Sequence, residues 1–330
     1  TRFLKEDYGR GDVTSELLFP TNLKTKAVIM TRETGIIAGC LIINELFQEL
    51  DLITDWYFQD GDNIKENDII VSIEGSARHI LASERTSLNI LGHMSGIATN
   101  TRKAVEIVKK INPLINIAAT RKTLPGLRQL EKNSVMIGGG LPHRYDLHDM
   151  IIVKDTHLKL GENINTIIKL IKEKTNSNQK IEIETTNIKD AIKAAQLGAD
   201  IIMLDNMTVD DAQKTISTIK QLQLSHKIVF EVSGGINFLN LKNYASIGEK
   251  YVAIIENIIE NFKFKTPSGL PPICSLISGY FSYDSIRYIE KIPNKCKDDL
   301  NLPDVRILRP RVLIIHDNLK KKIFLHRSLL

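Results

Sequence analysis

Cysteine is scarce in this chain. Cys40, Cys274 and Cys296 lie far apart and form no C-x-x-C pair. A disulfide framework or a cysteine zinc site is therefore not expected, and a reducing cytosol fits. No apolar run approaches the ~18 residues that a membrane-spanning helix requires. No secretory leader is visible, although the chain starts at Thr1 rather than Met. The formal net charge is only +5 and the Lys and Arg residues are scattered, which argues against a nucleic-acid partner. No G-x-G-x-x-G and no P-loop is present. His148, His157 and His226 have no nucleophile at a recognisable spacing, so Ser/His/Asp and Cys/His machinery is not expected. What remains, with 42% hydrophobic and 25% charged residues, is a globular chain long enough for about two domains.

The pattern changes along the chain. Residues 1–20 suggest a short helix and a turn at Gly9-Arg10-Gly11-Asp12, with Thr14 or Ser15 as the next N-cap. Strands are expected at 26–31, 35–40, 56–59 and 69–73, and a helix at 41–50. This stretch is α+β, reads as a structural or dimerising unit, and carries no catalytic constellation of its own. Apolar residues at helical spacing over 79–110 predict one long helix, or two joined near Ser95-Gly96, with Arg85 early in it. Strand and helix then alternate. The strands are expected at 115–120, 150–155, 180–185, 200–206 and 227–235, with helices at 127–137, 164–174, 188–197 and 209–222. Such alternation predicts a parallel sheet, either doubly wound or closed into a barrel. The strands end in Arg121-Lys122, Lys154, Glu184, Asp205-Asn206 and Ser233-Gly234-Gly235. In a barrel the carboxyl ends of the strands share one face, so charge at successive ends favours the barrel. After Gly248 the alternation fails: 251–259 reads as strand or helix, 312–315 and 322–325 as a hairpin, and nothing there completes a barrel.

Three groups of residues carry chemistry. Arg121, Lys122, His143, Arg144 and Lys154 together suit a substrate with several carboxylates or phosphates, Arg as a planar fork and Lys as a point charge. Glu184 and Asp205, ending successive strands, suit a Mg²⁺ site or a positively charged sugar-like transition state; salt bridges to the cations are the alternative. Ser233-Gly234-Gly235 after a strand suits a phosphate cradle. Gly138-Gly139-Gly140 follows no strand and suits close backbone approach instead.

ATRKTLPGLRQLEK, GGGLPHRYDLHDMIIVKDTH, IEIET, GADIIMLDNM and FEVSGGI resemble, in order and spacing, quinolinate phosphoribosyltransferases; EDYGRGDVTS and ERTSLNILGHMSGIAT resemble their N-terminal part. The resemblance covers about residues 4–248. It implies an N-terminal α/β sandwich, assigned to 1–98, and an incomplete parallel α/β barrel, assigned to 99–250. The implied reaction joins quinolinate to phosphoribosyl pyrophosphate with Mg²⁺, giving nicotinate mononucleotide, pyrophosphate and CO₂. By motif, Arg121, His143, Arg144 and Lys154 would hold the quinolinate carboxylates, and Lys122 would lie near the phosphoribosyl donor. Glu184 and Asp205 would face the ribose and Mg²⁺–pyrophosphate, Ser233, Gly234 and Gly235 would take the 5′-phosphate, and Arg85 would enter a neighbouring subunit's site in a homodimer. A related protein encoded beside molybdate transporters shares several of these motifs.

The C-terminus departs from that pattern. The family's second phosphate-binding Gly/His loop is not seen after Tyr244-Ala245-Ser246-Ile247-Gly248. IIENFKFKTPSGLPP, GYFSYDSIRYIEK, DDLNLPD and PRVLIIHDNLKKKIF resemble instead a piece of anthranilate synthase component I, about 258–324. That piece lacks a chorismate site, so 251–330 is expected to be a foreign α+β fragment without that activity. A non-catalytic remnant that binds the dicarboxylate without turnover is the alternative function.

Overall fold

The computed structural model describes residues 2–160, 163–174, 179–225, 227–247 and 252–254, and four short strands farther on. The chain divides into two compact units, 1–261 and 262–330.

The first part of the larger unit is a small α/β layer. Helices α1 (Arg2–Tyr8) and α2 (Val13–Leu18) precede strand β1 (Lys24–Met30). The α2 cap is Asp12, whose carboxylate accepts from Ser15 N at 3.0 Å, so the expected cap at Thr14 or Ser15 lies too late. Next come β2 (Gly35–Ile36), α3 (Cys40–Glu49), β3 (Ile53–Trp56), β4 (Asn63–Ile64) and β5 (Ile69–Ser76). The strand expected over 35–40 stops at Ile36. Asp60 Oδ1 draws the Gly39 and Cys40 amides at 2.6 and 2.8 Å, and the helix begins there. β5 is the centre of an antiparallel sheet, β1-β5-β3, and β2 pairs with β4. Phe47, Ile43, Ile70 and Val71 are among the residues of the core between this sheet and α3.

Helix α4 (Ala77–Ile111) runs unbroken through Ser95-Gly96. Its buried residues, including Ile80, Ser83, Ser87, Leu91, Met94, Ala98, Thr101, Ala104 and Val108, recur every three or four positions and form one stripe. The first half packs on the antiparallel sheet and the second on the next layer, so the boundary expected at 98/99 falls inside a single helix.

The rest of the unit alternates: β6 (Asn116–Ala118), α5 (Arg128–Ile137), β7 (Ile151–Val153), α6 (Asp155–Leu160), α7 (Ile164–Lys174), β8 (Ile181–Thr185), α8 (Ile188–Gln196), β9 (Ile201–Asp205), α9 (Val209–Gln221), β10 (Val229–Ser233), α10 (Leu241–Ala245) and β11 (Val252–Ile254). Asn187 and Thr208 cap α8 and α9 through their side chains. All the strands are parallel, in the order β6-β11-β10-β9-β8-β7. Among the described residues no ladder joins β6 to β7, so the sheet is an incomplete α/β barrel. β11 corrects the sequence reading. That reading leaves 251–259 as strand or helix and ends the barrel domain at 250, yet Val252 and Ala253 bridge β6 and β10, and the expected boundary cuts this strand off. Three residues are too few for any periodicity to show; only the gap between β6 and β10 gives them a place.

In the smaller unit, β12 (Ser278–Phe281) pairs antiparallel with β13 (Val305–Leu308), and β14 (Val312–Asp317) with β15 (Lys322–Arg327), the expected hairpin. Most of 258–324, the stretch expected to be an anthranilate-synthase-like fragment, lies outside the described residues.

Candidate active site

The strand ends converge. Arg121 and Lys122 follow β6, Lys154 follows β7, Glu184 lies near the end of β8, Asp205 ends β9 and Ser233 ends β10. With His143 and Arg144 they line one cleft of about 380 Å³, floored in part by Ile152 and Met203. His143 and Arg144 belong to no regular element. They reach the cleft because Gly138 and Gly140 let the preceding loop lie against α4: a Cβ on Gly138 would sit 2.6 Å from Ala98 O, and one on Gly140 2.9 Å from Thr101 Cγ2. The glycine triplet thus serves close approach, as its sequence context indicates.

One side of the cleft is cationic. The Arg121 Nε is buried without a hydrogen-bond partner, so this donor is unsatisfied until an acceptor enters. Arg144 Nη1 donates to Met150 O at 3.3 Å. Burial and the neighbouring Arg121 charge hold the Arg144 guanidinium below its ordinary pKa. Facing them, Lys154 Nζ lies 3.5 Å from Glu184 Oε2. Burial first, and then the charge of nearby Asp205, raise the Glu184 carboxyl despite Lys154. The expected salt bridge is therefore present, and a half-exposed Lys–Glu contact is weak and easily opened.

At the other edge, Gly234 and Gly235 have φ of 91° and 65°, conformations that suit glycine. A Cβ on Gly234 would fall 2.6 Å from Asn206 N. Asn206 N itself donates to Ser233 O at 2.9 Å, tying the ends of β9 and β10 together. Glycines after a strand let an anion approach their backbone N–H groups closely. Arg85 is an expected site residue that the cleft does not contain. It lies on α4, 62% exposed, with Glu84 at 3.9 Å.

The structure adds residues that the sequence reading did not single out. Glu182 and Glu231 are buried beneath His143. His143 Nε2 pairs with Glu231 Oε2 at 3.0 Å and faces Glu182 Oε2 at 3.6 Å. Both Glu182 oxygens lack a hydrogen bond. Burial, and then the Glu231 charge, push the Glu182 carboxyl well above the ordinary range. Burial alone would lower the His143 pKa; the Glu231 hydrogen bond and both carboxylate charges outweigh it and raise it. The three ligand atoms lie within 4.8 Å of one another, a spacing that suits a metal ion. Arg144 and Lys154 already act on Glu182, however, and Lys132 on His143, so cations are present and a proton is the cheaper neutraliser. The missed signal was E-I-E in β8: residues two apart on a strand share a face, so Glu182 lies on the Glu184 side.

Two family models match the chain: the N-terminal domain of quinolinate phosphoribosyl transferase over residues 12–95 and its C-terminal domain over 97–258. A probable nicotinate-nucleotide pyrophosphorylase (carboxylating) of Methanothermobacter thermautotrophicus is 36% identical over 251 residues, covering 76% of this chain and 90% of the relative. One from Archaeoglobus fulgidus is 39% identical, covering 72% and 89%. The chain belongs to the quinolinate phosphoribosyl transferase family. The crystal structure of the Ehrlichia chaffeensis nicotinate-nucleotide pyrophosphorylase superposes with a TM-score of 0.72 at 35% identity, covering 79% of this chain and 92% of that one. The match to 258 takes β11 into the quinolinate phosphoribosyl transferase domain, in agreement with its place in the sheet.

The cleft suits Mg²⁺ on the carboxylate side. Glu184 and Asp205 are oxygen donors on adjacent strands, close enough for the Asp205 charge to be felt at Glu184. Hard cations with retained water take such donors, whereas the imidazole and guanidinium groups opposite do not suit them.

Proposed function

We propose that this chain catalyses phosphoribosyl transfer from phosphoribosyl pyrophosphate to quinolinate with decarboxylation, giving nicotinate mononucleotide, pyrophosphate and CO₂, a step of NAD biosynthesis. The observation that carries this reading is the single cleft that sets Arg121, Lys122, His143, Arg144 and Lys154 against Glu184, Asp205 and the Ser233 loop. Arg121, Arg144, Lys154 and His143 bind the two quinolinate carboxylates and orient the ring nitrogen toward the sugar. Lys122 lies beside the donor. The backbone N–H groups at Ser233, Gly234 and Gly235 hold the 5′-phosphate. As pyrophosphate leaves, positive charge develops on the ribose, and Glu184 and Asp205 stabilise it. The same two carboxylates would hold Mg²⁺, which, when bound, offsets pyrophosphate charge. The quaternised ring nitrogen then stabilises the carbanion left by CO₂ until it takes a proton from solvent.

The active unit in this reading is a homodimer. Arg85, exposed and away from its own cleft, reaches the partner's. Mixing Arg85→Ala with Lys154→Ala protein then restores activity that neither has alone, and a mixture that stays inactive removes Arg85 from the site. The C-terminal stretch resembling anthranilate synthase component I is an appended fragment without that activity.

Quinolinate-dependent release of CO₂ with phosphoribosyl pyrophosphate and Mg²⁺ tests the reaction on the full chain. Lys154→Ala or Arg144→Ala should weaken quinolinate binding by about 1–3 kcal/mol, as expected for a lost charged hydrogen bond. Intact quinolinate binding without turnover would favour the non-catalytic remnant.

A further inference from the structure

His143 sits at the boundary between the cationic cleft and a buried acidic layer. Its imidazole is only 11% exposed, and its Nε2 is aimed away from solvent at Glu231, 3.0 Å distant. Its backbone is left-handed, with φ of 52°, a conformation that non-glycine residues hold only where surroundings enforce it. Those surroundings are visible: Lys132 Nζ donates to Pro142 O immediately before it, and Glu231 fixes the ring. The charged groups facing the imidazole come from separate elements: Lys132 from α5, Glu182 from β8 and Glu231 from β10. Two carboxylates thus oppose one ammonium.

The state of this imidazole decides whether it attracts or repels a carboxylate. With Nε2–H committed to Glu231, the nitrogen left over is Nδ1. In neutral imidazole Nδ1 is a lone pair, which repels a carboxylate; in imidazolium it is an N–H, which donates. We propose that Glu231 is a positioning residue for His143: by accepting the Nε2–H hydrogen bond it turns the ring and keeps Nδ1–H as a donor to one carboxylate of the pyridine dicarboxylate. Glu182, only 3.6 Å from Nε2, acts in the same direction when ionised, without adding a hydrogen bond. The inference rests on quinolinate occupying the cleft as described above.

Equilibrium binding of quinolinate to the full chain, measured by calorimetry from pH 6 to 9, tests it. The wild-type affinity falls as pH rises through the titration of His143. Glu231→Gln keeps the size and an acceptor oxygen but removes the charge. It should move that fall to lower pH and weaken binding about tenfold at pH 8. Glu231→Asp, which keeps the charge, should retain the wild-type pH profile and serves if the amide variant does not fold. In a His143→Asn background, Glu231→Gln should change nothing further, because Glu231 acts through His143. A Glu231→Gln profile identical to wild type, or an equal loss in the His143→Asn background, overturns the proposal while leaving the enzyme reading intact. No quinolinate binding by the wild-type chain would remove both.

Discussion

Burying Lys132 without a carboxylate in contact is expensive. The side chain is fully buried, and its ammonium meets Pro142 O and the face of Tyr145. Burial, and then the charges of Arg128 and Arg121, push its pKa down to about 8. The folded protein therefore releases this proton near pH 8 rather than 10.5, a cost on the order of 3 kcal/mol below pH 8. Because the unfolded state binds more protons between about pH 8 and 10.5, this residue's contribution to stability rises with pH across that window. Lys132→Met should flatten the rise, and urea unfolding of both proteins at pH 7.5 and 9.5 measures it. An equal pH dependence in the two would show that Lys132 is charged in the fold. The strand-end cations were legible in the sequence because a charge closing an apolar run has no packing role. Lys132, Glu182 and Glu231 were not. A polar residue inside an apolar pattern ordinarily marks an outward face, and only the two-residue spacing of Glu182 from Glu184 pointed the other way.

Elements meet here through small residues. Gly138 allows the end of α5 to lie on α4, where a Cβ would meet Ala98 O at 2.6 Å and Thr101 Cβ at 2.5 Å. Gly138→Ala should destabilise the protein by about 1–3 kcal/mol through overpacking. It should also weaken quinolinate binding, because the displaced loop carries His143 and Arg144. Gly92, exposed on α4 with open space for 4 Å around the place a Cβ would take, is the contrast. Gly92→Ala should stabilise by roughly 0.5–1 kcal/mol by restricting the unfolded chain. Denaturant midpoints of the two variants should move in opposite directions, and a shared direction would refute the packing argument. Most elements were legible from periodicity, since α4 and the barrel strands carry long, regular patterns. The misreadings fell where a side chain overrides local preference: Asp60 ends β2 early, and Asp12 rather than Thr14 or Ser15 caps α2.

At the scale of the molecule, the reach of the family match to 258 and the position of β11 make one prediction. A chain ending after Gly248 lacks the strand that joins β6 to β10, whereas one ending after Asn261 keeps the larger unit whole. The shorter chain should show no cooperative unfolding transition by calorimetry and no CO₂ release, and the longer one should show both. Equal behaviour would make β11 dispensable. The boundary was hard to see because a three-residue strand takes its identity from its neighbours rather than from its own sequence. Its placement also bears on synthesis. β6 emerges first among the barrel strands, but its ladder partner β11 emerges last of them. Until then β7 to β10 can align while β6 waits beside an unclosed sheet, with an open edge on each. The nascent chain therefore commits the cleft arginine that follows β6, Arg121, only at the final pairing event, and slow elongation beyond β10 would prolong the interval in which that edge is open to other chains.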